Sequence, residues 1–476
     1  MVKSFGKTPG VSQKFACKVS SSTFWFENNR FVKTTISFLD YWRLKNNLKV
    51  NIFANTFNMD GKLVEKKEIK FSKGFVKNFT PLNGKNGCGS VEIKITAEQN
   101  LRIPYAAIVA IYNTKMGITG VHSYSRVYYE QGENMSKGIE GSWTIRDTEE
   151  VSSFCVFHNG NKPQEKQLMK VNIQNIKNDI IAIKIKIPKI KPYGTIKINL
   201  KDYVPNLVKF LNGGIGTVAA EFNVKGGFAR MLIGNESSLK GYDMQVTHSN
   251  FLYKNLGSDY LEKTAKSLKL YPGKVNGNSK FIIYPHLVTG NYKAIVGKKV
   301  IPIKEKQKVI DVKLSKSQRE ISFHASKGSL PSRIQLGIVS QNNKKRIPNE
   351  VAFSAITTIE PLKRFHWGIC ALGSNVSSKI IILDFKSLDK KYSKFSELSI
   401  CLYSSNNKKI HKRVFSKKTI LKNFSEGISV YSIFKDLKKP SKLTYGYYSV
   451  FSQYGRFLCY SEITNQHGST FKEHSF

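Results

Sequence analysis

Arginine and histidine recur in this chain as a pair that could bind an anion. Arg230 precedes His248 by 18 residues, and Arg456 precedes His474 by 18 residues. A guanidinium can hold a carboxylate, phosphate or sulfate through two parallel hydrogen bonds, and a protonated imidazole can add a third donor. Only 12 of the 476 residues are arginine. Two pairs with equal spacing therefore indicate a repeated segment.

Two further segments carry the same pattern with one partner replaced. Ala107 takes the place of the arginine before His122, and Phe353 takes the place of the histidine after Arg333. The predicted ligand-binding residues are those that the four copies retain, namely Arg230, His248, Arg456, His474, His122 and Arg333. The alternative is a recurring structural corner, in which the arginine stem packs on an aromatic ring and the imidazole bonds a backbone carbonyl.

Turn-forming sequence lies midway through each copy, which predicts four β-hairpins. The tips are rich in residues that adopt positive φ angles or bond their own backbone. They lie at 113–117, 236–241, 341–344 and 464–468. In hairpins centred on these tips, Arg230 would face His248, and Arg456 would face His474.

The spacing of the copies indicates the size of the repeated unit. The equivalent positions His122, His248, Phe353 and His474 are 126, 105 and 121 residues apart. A period near ~100 residues is that of an immunoglobulin-like sandwich domain, and it exceeds the roughly 20–50-residue units of solenoids. The chain has a general likeness to tandem immunoglobulin-like sandwiches, and we recognise no specific family.

Hydrophobic patterning favours strands throughout. Apolar and polar residues alternate as in half-buried antiparallel strands, at 48–53, 91–95, 181–187, 195–200 and 398–403. Single helical turns are expected only at 203–211 and 431–437. We therefore predict an all-β protein, a tandem array of four immunoglobulin-like β-sandwich modules.

The copies and the intervening sequence predict the module boundaries. The modules are expected at 20–129, 151–253, 280–356 and 363–476, the third being the shortest and most diverged. A polar bridge containing glycine is expected at 131–142, and a linker with glycine and proline at 256–277.

Charge favours an acidic partner. The chain carries 76 basic and 33 acidic residues, a net charge of +43, and such an excess is typical of proteins that bind acidic glycans or nucleic acid. The competing explanation is codon bias, because lysine outnumbers arginine 64 to 12, as an AT-rich coding sequence would produce. Lysines on strands also discourage edge pairing.

The sequence gives no strong sign of redox, metal or cofactor chemistry. The six cysteines form no CxxC pair, and we interpret them as buried thiols in a reducing compartment. Metal sites joining His248 with Asp243, or His122 with Glu130 and Glu133, lack the spacing of strong sites, so no metal is predicted. The glycines at 213–216 lack the context of a nucleotide loop, so no cofactor is predicted.

The expected function is a non-catalytic, multi-domain binding or scaffolding protein for an acidic partner, foremost a polyanionic glycan. The first alternative is an enzyme acting on cell-surface sugars, with its site between modules and acids such as Asp243, Glu130 or Glu133. The second is a basic nucleic-acid-binding protein, although the basic tips at 343–346 and 408–413 lack a flanking aromatic platform. No membrane helix or hydrophobic leader is apparent, so a cytoplasmic location is expected.

Overall fold

The computed structural model of the chain is an all-β structure of small antiparallel sheets. It describes residues 18–71, 74–97, 107–129, 137–237, 242–251, 266–270, 280–284, 292–303, 310–313, 321–328, 330, 333–341, 343–356, 365–387, 397–405, 409–416, 424, 427–452 and 457–475. Within these ranges, no helix has the length and hydrophobicity needed to cross a membrane.

The first eight strands form two four-stranded sheets. They are β1 (Lys18–Asn28), β2 (Val32–Leu39), β3 (Asn51–Asn58), β4 (Leu63–Ile69), β5 (Val76–Phe79), β6 (Gly87–Ala97), β7 (Ile108–Thr114) and β8 (Ile118–His122). The sheet orders are β1-β6-β3-β4 and β5-β2-β7-β8. The helix α1 (Tyr41–Asn46) follows β2, and a 3-10 turn (Pro81–Gly84) follows β5. Phe26 of β1 and Ile36 of β2 are fully buried in one core, which therefore draws on both sheets.

The second group of strands also forms two sheets. They are β9 (Lys137–Ile145), β10 (Ser152–His158), β11 (Gln167–Asn175), β12 (Ile180–Ile187), β13 (Thr195–Asn199), β14 (Gly216–Asn223), β15 (Leu232–Ser237), β16 (Asp243–His248) and β17 (Asn250–Phe251). The sheet orders are β13-β10-β15-β16 and β12-β11-β14-β9-β17. A 3-10 turn (Leu200–Asp202) and the helix α2 (Leu207–Leu211) precede β14. Phe157 and Ile173, one from each sheet, belong to one core.

The third group repeats this arrangement with shorter strands. They are β18 (Ser267–Leu270), β19 (Lys280–Ile283), β20 (Tyr292–Val296), β21 (Lys299–Ile303), β22 (Ile310–Lys313), β23 (Ile321–Ala325), β24 (Arg333–Ser340) and β25 (Asn349–Ile356). One sheet has the order β22-β19-β24-β25, and the strands β21-β20-β23-β18 run side by side in the other. Phe281 and Phe323 of the two sheets share a core.

The fourth group joins the third through a shared sheet. Its strands are β26 (Phe365–Leu372), β27 (Val376–Ser387), β28 (Glu397–Tyr403), β29 (His411–Ser416), β30 (Ile428–Ser429), β31 (Thr444–Ser452), β32 (Phe457–Asn465) and β33 (Thr470–His474). One sheet has the order β26-β31-β28-β29. The other consists of β30, β27, β32 and β33, and β27 also pairs with β18. The helix α3 (Val430–Ile433) follows β30.

The sequence predictions for local structure are largely confirmed. Three of the five alternating segments lie wholly in strands, namely β6, β12 and β28. The segment at 195–200 runs one residue past β13, and the segment at 48–53 overlaps β3 only from Asn51. The helix α2 falls within the predicted turn at 203–211, and α3 overlaps the predicted turn at 431–437, starting one residue earlier at Val430. Cys155, Cys370 and Cys459 are buried, and the five cysteines in the described ranges carry free thiols.

The predicted bridge and linker are corrected in part. The bridge at 131–142 includes the start of β9 from Lys137, and the linker at 256–277 includes β18. Polar or glycine-containing sequence hid both strands. Their strand structure depends on pairing with distant strands, β14 for β9 and both β23 and β27 for β18.

All four predicted hairpins are present, but with a shifted register. The observed partners are Val109 with His122, Leu232 with His248, Leu336 with Phe353, and Tyr460 with His474. Each partner lies two to four residues after the residue that the sequence predicted. Arg230 therefore does not face His248 directly, because the turn reverses the chain later than a centre at 239 would require.

Neighbouring sheet pairs pack on one another in a cycle. Phe154 of β10 joins the core of the first pair, and Ile215 packs with Tyr284 across the second and third pairs. The third and fourth pairs are joined by β18 and β27. Trp367 of β26 packs in one cluster with Leu39 of β2, so the fourth pair also contacts the first.

Candidate functional site

The last strands of the four hairpins meet at the centre of this cycle. These strands, β8, β16, β25 and β33, are each the outermost strand of their sheet. Each contacts two of the others, in the cyclic order β8, β16, β25, β33 and back to β8. We call this arrangement of four strands the hub.

Side chains cover the open edges of the hub strands. An edge strand has backbone N–H groups without a partner in its own sheet. Backbone N–H groups in or just before these strands donate across the hub to side-chain oxygens in or just before a neighbouring hub strand, with at least one such bond for each neighbouring pair of strands. These bonds include Val246 N to Thr119 Oγ1 at 3.0 Å, Ile347 N to Asp243 Oδ2 at 3.0 Å, Lys472 N to Asn349 Oδ1 at 3.0 Å, and Ile118 N to Ser469 Oγ at 3.3 Å.

Three histidines from three of the hub strands converge at one end of the hub. His122, His248 and His474 each end their strand, so the equivalent ends of β8, β16 and β33 bring them together. The ring centroid of His122 lies 4.6 Å from that of His248 and 4.5 Å from that of His474, and the last two centroids are 5.9 Å apart. His122 and His248 are buried, and the side chain of His474 is 26% exposed.

Glu473 binds two of the hub histidines. Its Oε1 lies 2.9 Å from Nδ1 of His122, and its Oε2 accepts a hydrogen bond from the backbone N–H of His122 at 3.2 Å. Oε1 also accepts a bond from the backbone N–H of His474 at 3.1 Å. These contacts orient the His122 ring so that its Nδ1 faces the carboxyl group.

Ser249 plays the corresponding part for His248. Its carbonyl oxygen lies 2.8 Å from Nδ1 of His248, which therefore acts as the donor. The same oxygen accepts a bond from Nε of Arg230 at 2.9 Å. The predicted Arg230 and His248 pair thus meets on a backbone carbonyl, which resembles the contact that the structural-corner alternative predicts.

Burial keeps the three imidazoles neutral. Loss of solvent, followed by the positive charge of Arg230, lowers the pKa of His122 to about 3. Burial and then the neighbouring imidazole of His122 lower the pKa of His474 to about 4. Burial and then Arg230 also hold the pKa of His248 well below its usual value. The cluster therefore presents uncharged rings, which are hydrogen-bond acceptors and metal ligands as well as donors.

Burial has the opposite effect on the acid beside the cluster. It raises the pKa of Glu473 to about 7, against the lowering effects of His474 and of the two backbone N–H groups that bind the carboxyl. At neutral pH the Glu473 carboxyl is therefore partly protonated and partly ionised. Its hydrogen bond to His122 persists in both forms.

The structure brings together four of the six predicted ligand-binding residues, Arg230, His122, His248 and His474. Arg333 is the first residue of β24, and its side chain is not among those that the structure describes. Arg456 falls in 453–456, which is also outside the described residues. Burial of His122 and His248 leaves little of either ring open to a surface polymer.

In the described part of the chain, Asp243, one of the acids named for the enzymatic alternative, does not bond the hub histidines. Asp243 is buried at the start of β16, where its Oδ1 accepts a bond from Met244 N at 2.9 Å and its Oδ2 binds Ile347 N. Its carboxyl group therefore accepts hydrogen bonds from backbone N–H groups and links β16 to the segment before β25. Glu130 and Glu133 lie outside the described residues.

Sequence reasoning missed Glu473 and the convergence of the histidines. The repeat placed His122, His248 and His474 at equivalent positions, which is the signal that could have revealed the cluster. Equivalent residues of repeated units come together when the units are arranged around a common axis. Nothing local in the sequence shows that arrangement.

Comparison with known proteins adds little to this geometry. No family model and no curated protein matches the chain. A crystal structure of a tetra-tandem repeat in the extending region of a large adhesion protein aligns over 90% of this chain and 91% of that chain, at 8% identity and a TM-score of 0.10. At that TM-score the alignment carries no argument about fold or function.

Proposed function

We propose that the chain is a non-catalytic scaffold of four immunoglobulin-like β-sandwich modules that binds an acidic partner, foremost a polyanionic glycan. The predicted modules, at 20–129, 151–253, 280–356 and 363–476, each overlap one sheet pair, although β9 and β18 lie outside the predicted bounds of the second and third. The observation that carries the proposal is the contrast between the two edges of each sheet pair. The hub covers the inner edges, whereas the outer edges are exposed and carry lysine or arginine, in β4 beside Glu65 and Glu68.

The outer edges are the strands β4, β12, β21 and β29. Each lies at the end of its sheet in the described part of the chain. Their exposed basic residues are Lys66, Lys67, Lys184, Lys186, Lys299, Lys412 and Arg413. An extended, sulfated or carboxylated polymer can bind such rows through many weak ionic contacts, and their number compensates for the small free energy of each one.

Because two of the hub histidines are buried, we place the polymer-binding surface away from the hub. The anion site predicted at Arg230 and the histidines suits a small ion better than a chain of sugars, because His122 and His248 are buried. We therefore assign polymer binding to the outer edges. A row of lysines also prevents edge strands from pairing with other chains, and this purely protective role is the alternative that an experiment must separate.

Heparin binding provides that experiment. A variant with Lys66, Lys67, Lys184 and Lys186 replaced by glutamine is compared with a control that loses Lys344, Lys345, Lys435 and Lys438. All eight lysines are exposed, so both variants lose four charges. We measure the dissociation constant for heparin by surface plasmon resonance between 50 and 300 mM salt.

The proposal predicts weaker binding for the outer-edge variant alone. At about 0.2–1 kcal/mol for each exposed contact, four lost contacts reduce the affinity roughly 4-fold to several hundred-fold. A plot of the logarithm of the binding constant against the logarithm of the salt concentration should also have a shallower slope. If sulfates behave as phosphates do, each lost contact reduces the magnitude of that slope by roughly 0.7–0.9. Equal affinities of the two variants would refute the outer-edge site. Aggregation of the outer-edge variant with unchanged heparin affinity would support the protective role instead.

A further inference from the structure

We propose that His122, His248 and His474 form a binding site for one divalent transition-metal ion, of the class of Zn²⁺, that links three of the four sheet pairs through the hub. This inference is independent of the proposed glycan binding. It rests on the geometry of the three rings and on the groups that orient them.

The ligand atoms are already close together. One ring nitrogen from each of the three histidines lies within 4.8 Å of the other two. Zinc bound to imidazole at roughly 2.0–2.1 Å in tetrahedral geometry requires nitrogens about 3.3 Å apart. Side-chain rotations that bring the rings nearer by about 1.5 Å would complete the site, without rearrangement of the hub strands.

The contacts around the rings match those that support metal-binding histidines. Such residues usually donate their second ring N–H to a carboxylate or a backbone carbonyl, which fixes the tautomer and the ring orientation. His122 has the Glu473 carboxyl at Nδ1, and His248 has the Ser249 carbonyl at Nδ1. Donation from Nδ1 to the Ser249 carbonyl leaves Nε2 as the unprotonated nitrogen of the His248 ring.

The donor set selects the class of metal. Neutral imidazoles suit Zn²⁺, Cu²⁺, Ni²⁺ and Co²⁺, whereas Mg²⁺ and Ca²⁺ prefer oxygen ligands. Three protein ligands leave the fourth position of a tetrahedral ion for water or another small ligand. Because the ligands come from β8, β16 and β33, the bound ion would join the first, second and fourth sheet pairs.

Arg230 gives the proposal a sharp test. Its positive charge acts on all three imidazoles, so it opposes any cation bound there. Replacing Arg230 with methionine should therefore strengthen metal binding. An anion held by the guanidinium and the rings, as the sequence first suggested, would instead be lost with Arg230→Met.

The experiment uses the full chain freed of metal with EDTA. Zn²⁺ binding is followed by isothermal titration calorimetry, Co²⁺ binding by its visible absorption, and Mg²⁺ serves as the negative arm. His248→Gln and His474→Gln are the site variants. The matched control is His467→Gln, which makes the same substitution at the tip of the hairpin between β32 and β33. Circular dichroism without metal checks that each variant is folded.

We expect one Zn²⁺ per chain in the wild type and in His467→Gln. Loss of a ligand should weaken binding by more than the roughly 10–100-fold that loss of a supporting group causes, and Glu473→Gln should fall within that 10–100-fold range. If a histidine variant fails to fold, Glu473→Gln and Arg230→Met carry the test. The proposal is overturned by a wild type that binds neither Zn²⁺ nor Co²⁺. Unchanged affinity in folded site variants, or weaker Zn²⁺ binding in Arg230→Met, would also overturn it.

Discussion

Asn349 ties three strands of the hub together, and its replacement by alanine should loosen the hub locally. Its Oδ1 accepts a bond from Lys472 N of β33 at 3.0 Å, and its Nδ2 donates to Oε1 of Gln245 in β16 at 2.8 Å. The side chain is 1% exposed, so water cannot readily replace these bonds. Each buried group left without a partner costs about 1–3 kcal/mol. Two such groups lose their partner, so we expect Asn349→Ala to destabilise the hub by about 2–6 kcal/mol.

The assay is amide hydrogen exchange at Lys472, measured under native conditions. A change of about 2 kcal/mol, at 1.4 kcal/mol for each factor of ten, corresponds to exchange about 30-fold faster. The matched control is Asn159→Ala, because Asn159 is similarly buried and bonds within the second sheet pair. It accepts a bond from Lys225 N and donates to backbone carbonyls that include those of Lys162 and Lys191. The control should leave exchange at Lys472 unchanged. Unaltered exchange in Asn349→Ala would refute the bridging role of this residue.

Two further predictions concern the contacts between sheet pairs. His158 is buried between Tyr124 Oη at 2.7 Å and Thr195 Oγ1 at 3.0 Å, and burial lowers its pKa to about 3. As pH falls, His158 is protonated in the unfolded chain before it is protonated in the folded chain, so stability is lost from about pH 6.5 towards pH 3. His158→Gln should therefore reduce the slope of unfolding free energy against pH by about 1.4 kcal/mol per pH unit in this window, measured by urea titration. Tyr447→Phe removes a buried bond to the Ser37 carbonyl at 2.9 Å and should cost about 0.5–1.5 kcal/mol. If that bond stabilises the contact between the first and fourth sheet pairs, exchange of β2 amides should accelerate in Tyr447→Phe and not in a Tyr403→Phe control, whose hydroxyl bonds Ser449 within the fourth pair.

Much of the local structure could be predicted because its causes are local. Alternating apolar residues, as in β12, and turn-forming tips, as at 464–468, are short-range signals of strands and reversals. The register was harder to predict, because a turn that reverses one residue later shifts every cross-strand pair by two. The observed pairing of Leu232 with His248 is such a case.

The hub depends on contacts that no short window of sequence contains. Thr119 and Val246 are 127 residues apart, and His122 and Glu473 are 351 apart, yet both pairs are hydrogen-bonded. The repeat indicated which positions are equivalent, but not that those positions meet. For the same reason the sequence did not show that His248, predicted as an anion contact, is buried.

The inner and outer edge strands of the sheet pairs also explain how a chain of many short sheets avoids unwanted strand pairing. Exposed edges are sites of unwanted pairing. The inner edges are covered by side chains from their neighbours, as Thr119 covers Val246. The outer edges carry exposed lysines such as Lys184 and Lys186, which disfavour association with another strongly basic copy of the chain.

A single engineered cross-link tests the meeting of the inner edges most directly. A Cβ atom placed at Gly117, just before β8, would lie 3.2 Å from Cγ of Asp243, the first residue of β16. Cysteines at these two positions should therefore come within the Cβ separation of about 3.5–4.5 Å that a disulfide requires. Mild oxidation of Gly117→Cys with Asp243→Cys should give a 117–243 linked peptide in mass spectrometry, and Gly117→Cys with Lys184→Cys should not. Absence of the 117–243 link in folded protein would contradict the hub.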